Sequence, residues 1–211
     1  DSLVARRYEA EQPFGDVLAQ HRASAVVMGP GAGISARLKA QVRSACAFKA
    51  PLVLDADALS VFEDAPDALF ESLHADCVLT PHGGEFARLF PDLTEAEHAG
   101  NKIERTREAA RRCGAVVVFK GADTVIAAPN GCCSVNSAHY QRSAPWLATA
   151  GSGDVLAGFI TGLMARGLSP MQAAETAAYL HVECALNFGP GLIAEDLPEQ
   201  IPTVLRRLDI P

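Results

Sequence analysis

The sequence predicts an α/β fold with a mainly parallel sheet and a ligand site along the carboxyl ends of its strands. Three observations predict it. Short apolar runs alternate with helical stretches, the grammar of successive strand–helix units. Four of the runs stop in glycine- or acid-rich turns, the place where open α/β sheets hold ligands. At 211 residues, with 49% hydrophobic and 20% charged residues, the chain can bury a substantial core and reads as one domain over 1–211.

The first twenty or so residues are mixed and polar, with Pro13 and Gly15 marking a loop. Ala25-Val26-Val27-Met28 is a strand that ends in Gly29-Pro30-Gly31-Ala32-Gly33, before a helix over about Ile34–Phe48. The glycines permit close approach by a ligand, although a tight strand–helix turn alone accounts for them. Pro51-Leu52-Val53-Leu54 is a second strand, delivering Asp55 and Asp57. Asp55 reads as a polar or cation-related residue and Asp57 as the cap of a short helix. Cys77-Val78-Leu79 is a third, ending in Thr80-Pro81-His82-Gly83-Gly84-Glu85. His82 can donate or accept hydrogen bonds near neutral pH, and Glu85 suits a first helical turn.

A charged helix follows over about Glu95–Cys113, its arginines interleaved with Glu104 and Glu108 as on a solvated face. Ala115–Phe119 is the strongest strand, β-branched and continuous, and ends in Lys120-Gly121-Ala122-Asp123-Thr124. Such a turn can neutralise a phosphate, or Lys120 is simply exposed. Val125–Ala128, the turn Pro129-Asn130-Gly131 and Cys132–Asn136 read as a hairpin. Val155–Arg166 is a helix whose Gly158 and Gly162 imply close packing. Ser169-Pro170-Met171-Gln172 is a capping box opening the next helix, on which His181 reads as packed; a last short helix spans Leu197–Leu208.

The turn Ala150-Gly151-Ser152-Gly153-Asp154 organises the rest. It leads into a helix starting near Asp154, and unblocked N–H groups at such a start attract anions. A carboxylate beside a phosphate is repelled, so Asp154 needs a reason to be there. It takes a proton from an attacking hydroxyl, helps hold a cation, or merely favours the helix dipole.

The formal net charge of −7 argues against a nucleic-acid or anionic-membrane surface. No apolar run can span a bilayer, and no charged-then-apolar leader opens the chain. Six cysteines without a CxxC pair read as buried thiols of a cytoplasmic protein, rather than as metal ligands or disulfides.

Taken in order, the five motifs, Gly29–Gly33, Leu54–Leu59, Leu79–Phe86, Lys120–Thr124 and Ala150–Gly158, resemble the ADP-dependent NAD(P)H-hydrate dehydratases of the ribokinase-like superfamily. The resemblance implies a three-layer sandwich, a mainly parallel central sheet flanked by helices. It implies repair of the S-epimer of hydrated NADH or NADPH, with ADP (ATP possible) as phosphoryl donor and AMP and phosphate as products. It implies that Lys120, Gly121, Ala122, Asp123, Thr124 and Gly153 bind the AMP part. Amides of Gly151, Ser152 and Gly153 hold the transferred phosphoryl group. Asp154, His82 and the turn with Gly31 and Gly33 contact the hydrated cofactor, with Asp154 as base. Mg2+ bridges the phosphates, with no dedicated metal site in the protein, and a homo-oligomer is expected.

Ser152 stands where threonine is commoner in the family, and keeps the hydroxyl. Animal relatives have Asn after the Thr-Pro pair and use ATP, so His82 points to the ADP-using type. The family also has a further strand, glycine-rich turn and alanine-rich helix ahead of these motifs; nothing here matches them, and the chain is expected to start inside the domain. Two other readings fit parts of the pattern: a hydroxyethylthiazole-kinase-like enzyme, and a non-catalytic nucleotide-binding module.

Overall fold

A computed structural model describes residues 13–94 and 101–209. Six strands form one sheet in the order β1 (Val26–Met28), β2 (Leu52–Leu54), β3 (Cys77–Leu79), β4 (Val116–Phe119), β5 (Asp123–Ala127) and β6 (Cys133–Ser137). β1 to β4 run parallel, and β4–β5 and β5–β6 are antiparallel. The four parallel carboxyl ends, and the turns that follow them, therefore lie along one edge.

Side chains alternate across a sheet, and in β2, β3 and β4 both faces are buried. Leu52, Leu54, Leu79, Val117 and Phe119 pack on one face with α2 (Ala36–Phe48), α5 (Gly83–Leu89) and α6 (Lys102–Cys113). Val53, Val78, Val116 and Val118 pack on the other against α7 (Ser152–Ala165) and α8 (Pro170–Phe188). That double burial explains why the strands are continuous apolar runs, and it makes the three layers. α9 (Asp196–Arg207) closes a third apolar cluster against α8 through Leu197, Val204 and Ala185. Two further short helices, α3 (Asp57–Ser60) and α4 (Asp67–Phe70), fill the β2–β3 connection.

Local signals set most boundaries. Ser35 caps α2 by accepting Leu38 N–H at 3.2 Å, and Asn101 caps α6 through Glu104 N–H at 3.0 Å. Ser169 and Gln172 form the capping box of α8 with Pro170 in its first turn. Four expectations need correction. Cys132 is exposed and Cys133 half-buried, so only four of the six cysteines are buried thiols. The stretch at Pro13 and Gly15 is α1 (Phe14–Gln20), held to α2 by Gly15 N–H donating to Ser44 Oγ at 2.9 Å; two turns of helix carry too little periodicity to announce themselves. Gly158 and Gly162 do not pack closely: a Cβ at either meets nothing within 4 Å among the described residues. Asp57 is not a cap, as described below. The part of the charged helix expected over 95–100 lies outside the described residues, as does the start of the chain before residue 13. No described helix is long and apolar enough to cross a membrane.

Candidate active site

The turns after β1 to β4 are laced together just beyond the sheet. Asp55 N–H donates to Met28 O at 3.0 Å, Thr80 N–H to Leu54 O at 3.1 Å, and Lys120 N–H to Pro81 O at 2.9 Å. Gly29 makes the first crossing possible. Its φ is +124°, and a Cβ there would lie 1.7 Å from Asp55 O. Gly31 and Gly33 are exposed with open space before them. The Gly33 N–H is taken by Asp57 Oδ2 at 2.8 Å. Asp57 is the first residue of α3, whose cap position is Ala56, so its carboxylate ties the glycine turn instead of a helix end. A short-range cap and a contact 24 residues away look alike in sequence.

Asp55 is fully buried, and its Oδ1 accepts from Lys120 Nζ at 2.6 Å. Their side chains are 1% and 17% exposed, so this is a buried pair. Asp55 Oδ2 has no hydrogen-bond partner among the described residues. Lys120 Nζ also lies 3.3 Å from where a Cβ of Gly153 would stand, which places the ammonium against the first turn of α7. Asp154 completes the group. Its carboxyl is held above the ordinary carboxylate range, first by partial burial and then by the charge of Asp55; Lys120 pulls it down and Asp57 pushes it up.

α7 begins at Ser152, two residues before the expected start. Gly151 precedes it with φ +84°, and no side chain caps this end. The Ser152 hydroxyl donates to Leu147 O at 2.7 Å. Ser152 N–H turns back to Thr149 O at 3.4 Å, and the N–H groups of Gly153 and Asp154, with no acceptor among the described residues, are available to an anion. His181, on α8, braces the turn from behind: Nε2 lies 2.9 Å from Ser152 O. A carbonyl only accepts, so Nε2 carries the proton. Burial pushes His181 down to about 4, which keeps the imidazole neutral.

A cavity of 390 Å³ opens beside this turn. Of the residues expected at a nucleotide, Lys120, Gly121, Ala122, Thr124, Ser152 and Gly153 line it. Gly151 does not; it backs onto Ala194. Asp123 does not either; it is exposed, with His139 Nε2 3.5 Å from its carboxylate. Ala144, Pro145, Leu147 and Val182 supply an apolar wall, and Asn136, His139 and Ser143 polar groups. The size and mixed lining suit a nucleoside.

His82 stands outside this cavity, on the neighbouring turn. It is the N-cap of α5: Nδ1 accepts from Gly84 N–H at 2.9 Å and Glu85 N–H at 3.4 Å. Nδ1 is therefore an acceptor and Nε2 the donor. Glu85 returns the box, accepting His82 N–H at 2.8 Å. The sequence leaves His82 open as donor or acceptor; its three-residue spacing from Glu85 is the signal that resolves it. Asn136, the bracing role of His181 and the contacts of Lys102 carry no such local signal. Among the described residues no three potential ligands converge on a metal position. Hard carboxylate oxygens do gather here, with Asp55 Oδ2 unpartnered, which fits a Mg2+ ion carried largely by phosphates.

The fold is ribokinase-like. The chain superposes on a ribokinase-like superfamily protein of Enterococcus faecalis with a TM-score of 0.76 at 22% identity, over 94% of this chain and 69% of that one. It belongs to the NAD(P)H-hydrate dehydratase family, whose profile matches residues 2–204. The ADP-dependent (S)-NAD(P)H-hydrate dehydratase of Xanthomonas campestris is 35% identical over 94% of this chain and 70% of its own length. The ADP/ATP-dependent NAD(P)H-hydrate dehydratase of Bacillus subtilis, crystallised with ATP/Mg2+, gives a TM-score of 0.70 at 30% identity, over 87% of this chain and 66% of that one. The bifunctional NAD(P)H-hydrate repair enzyme of Salinibacter ruber is 40% identical over 86% of this chain; the chain spans 33% of that relative.

Proposed function

We propose that this protein dehydrates the S-epimer of hydrated NADH or NADPH at the expense of ADP, giving NAD(P)H, AMP and phosphate. The observation that carries the reading is the cluster at the start of α7. An uncapped helix end and the Lys120 ammonium beside Gly153 border a nucleoside-sized cavity, and Asp154, a carboxylate with raised proton affinity, follows in the same helical turn.

In this reading the adenosine of ADP fills the cavity and its phosphates lie against Lys120, Gly121, Ala122 and Thr124. Asp154 accepts the proton of the substrate hydroxyl as that oxygen attacks the β-phosphorus. The bond from the β-phosphorus to the bridging oxygen breaks, and AMP leaves. The N–H groups of Gly151 and Gly153 hold the negative charge of the moving phosphoryl group, while that of Ser152, expected to join them, is drawn towards Thr149 O. Hydroxide leaves poorly and phosphate well. The ring nitrogen's electrons then expel phosphate, and loss of a neighbouring proton restores the double bond. His82, Gly31 and Gly33 face the hydrated ring, with His82 donating through Nε2. Asp55, Asp57 or Asp154 would hold a Mg2+ ion, which would supply neutralisation of the phosphate charge. The setting is the cytoplasm.

A small-molecule kinase would use the same cradle and carboxylate; the family match favours the dehydratase. Incubation with ADP and hydrated NADH, followed by NADH absorbance, tests the choice. Recovery of NADH that needs the nucleotide supports the proposal. No recovery with ADP or ATP contradicts it.

A further inference from the structure

Lys102 breaks a local rule. It is the first residue of α6, where the helix dipole disfavours a cation. Such departures point to a function that outweighs them. Its half-buried side chain folds back onto the β4–β5 turn. Nζ donates to Lys120 O at 3.0 Å and to Asp123 O at 2.6 Å, and lies 4.3 Å from the ring centre of Phe119. Between those two carbonyls sits Gly121, where a Cβ would meet Nζ at 2.8 Å. The ammonium fills the back of the Lys120–Asp123 turn.

The rest of the turn's hydrogen bonding completes the argument. Gly121 O accepts from Thr124 Oγ1 at 3.0 Å, and Ala122 O from Ala138 N–H at 2.8 Å. All four carbonyls of the turn are thereby engaged, two of them by Lys102. Lys120 N–H is committed to Pro81 O. The N–H groups of Gly121 and Ala122 have no acceptor among the described residues, and both residues line the cavity. A turn with its carbonyls withdrawn and two amides offered is built for an anion.

We propose that Lys102 is a positioning residue for the nucleotide: it draws back the carbonyls of Lys120 and Asp123, so that the amides of Gly121 and Ala122 meet the phosphates, and it adds a positive charge behind them. The role rests on the nucleotide-binding reading of this cavity. It also gives binding an alkaline limit. Burial lowers the ammonium to about 8; Asp123, itself facing His139, opposes the fall and Arg105 adds to it. ADP phosphates are already ionised above neutrality, so the proton lost in this range belongs to the protein.

The test is calorimetric titration of ADP into native protein, Lys102→Met and Lys102→Arg at pH 7 and pH 9, with thermal unfolding confirming that each variant is folded. Native affinity falls several-fold between the two pH values. Lys102→Met binds about tenfold more weakly at pH 7, a loss in the range of one charge-assisted hydrogen bond, and shows no further fall. Lys102→Arg, charged throughout, keeps its affinity at pH 9. Native binding that is flat with pH, or a folded Lys102→Met variant within twofold of native, overturns the proposal. Should Lys102→Met not fold, the native and Lys102→Arg series decide. Failure of the dehydratase reading is separately visible, as ADP binding without restoration of hydrated NADH. Absence of ADP binding by native protein overturns the positioning role.

Discussion

Replacing Lys120 with Met separates its two roles, ion-pair partner and phosphate ligand. Met keeps most of the apolar stem and removes the charge. An exposed lysine would cost 0–1 kcal/mol or so. Lys120 is instead 17% exposed and 2.6 Å from a carboxylate that is 1% exposed. Removing one partner of a buried pair strands the other, at about 3–5 kcal/mol. At roughly 2–4 °C per kcal/mol for a chain of this size, the melting temperature falls by about 6–20 °C. Thermal and urea unfolding of the nucleotide-free protein measure it. Asp55→Asn, alone and combined with Lys120→Met, completes a double-mutant cycle, and the combination should cost less than the sum of the single changes. A loss below about 1 kcal/mol with additive single variants would refute the buried-pair argument and return Lys120 to an ordinary surface lysine.

Asp154→Asn should leave ADP binding within a few-fold of native while turnover falls by about 10²–10⁴; steady-state kinetics with calorimetry checks both. On the proposed role of Asp154 as base, kcat of the native protein should fall as pH drops through its raised range, because a base must be deprotonated, and the Asn variant should lose that dependence. Gly29→Ala places a Cβ 1.7 Å from Asp55 O at a φ of +124°, and should cost about 3 kcal/mol or more by urea unfolding. His181 lies at about 4 when folded against 6.5 ordinarily. The unfolded chain then binds more protons between these values, so His181 should remove on the order of 3 kcal/mol of stability as pH falls from 6.5 to 4. In His181→Gln that part of the slope should be absent.

The strands were legible because both faces of the sheet are buried, which turns β2, β3 and β4 into unbroken apolar runs. Capping side chains at Ser169 and the glycines at the strand ends were equally direct, since each acts within a few residues of itself. What the sequence does not show is contact across many residues. Asp57 with Gly33, Asp55 with Lys120, His181 with Ser152 and Lys102 with two carbonyls join elements 18 to 65 residues apart. Each is set by strand order, and a polar residue that looks like a local cap or a solvated charge becomes part of the site only when the sheet assembles. α1 was missed for the opposite reason: two turns of helix stand by docking on α2 rather than by a pattern of their own.

The most direct measurement follows the phosphorus. ADP labelled in its β-phosphate, incubated with the protein and hydrated NADH, should release one labelled inorganic phosphate for each NADH restored, with unlabelled AMP beside it. NADH restored without labelled phosphate, or a label that stays on the nucleotide, would contradict phosphoryl transfer at the Asp154 cradle.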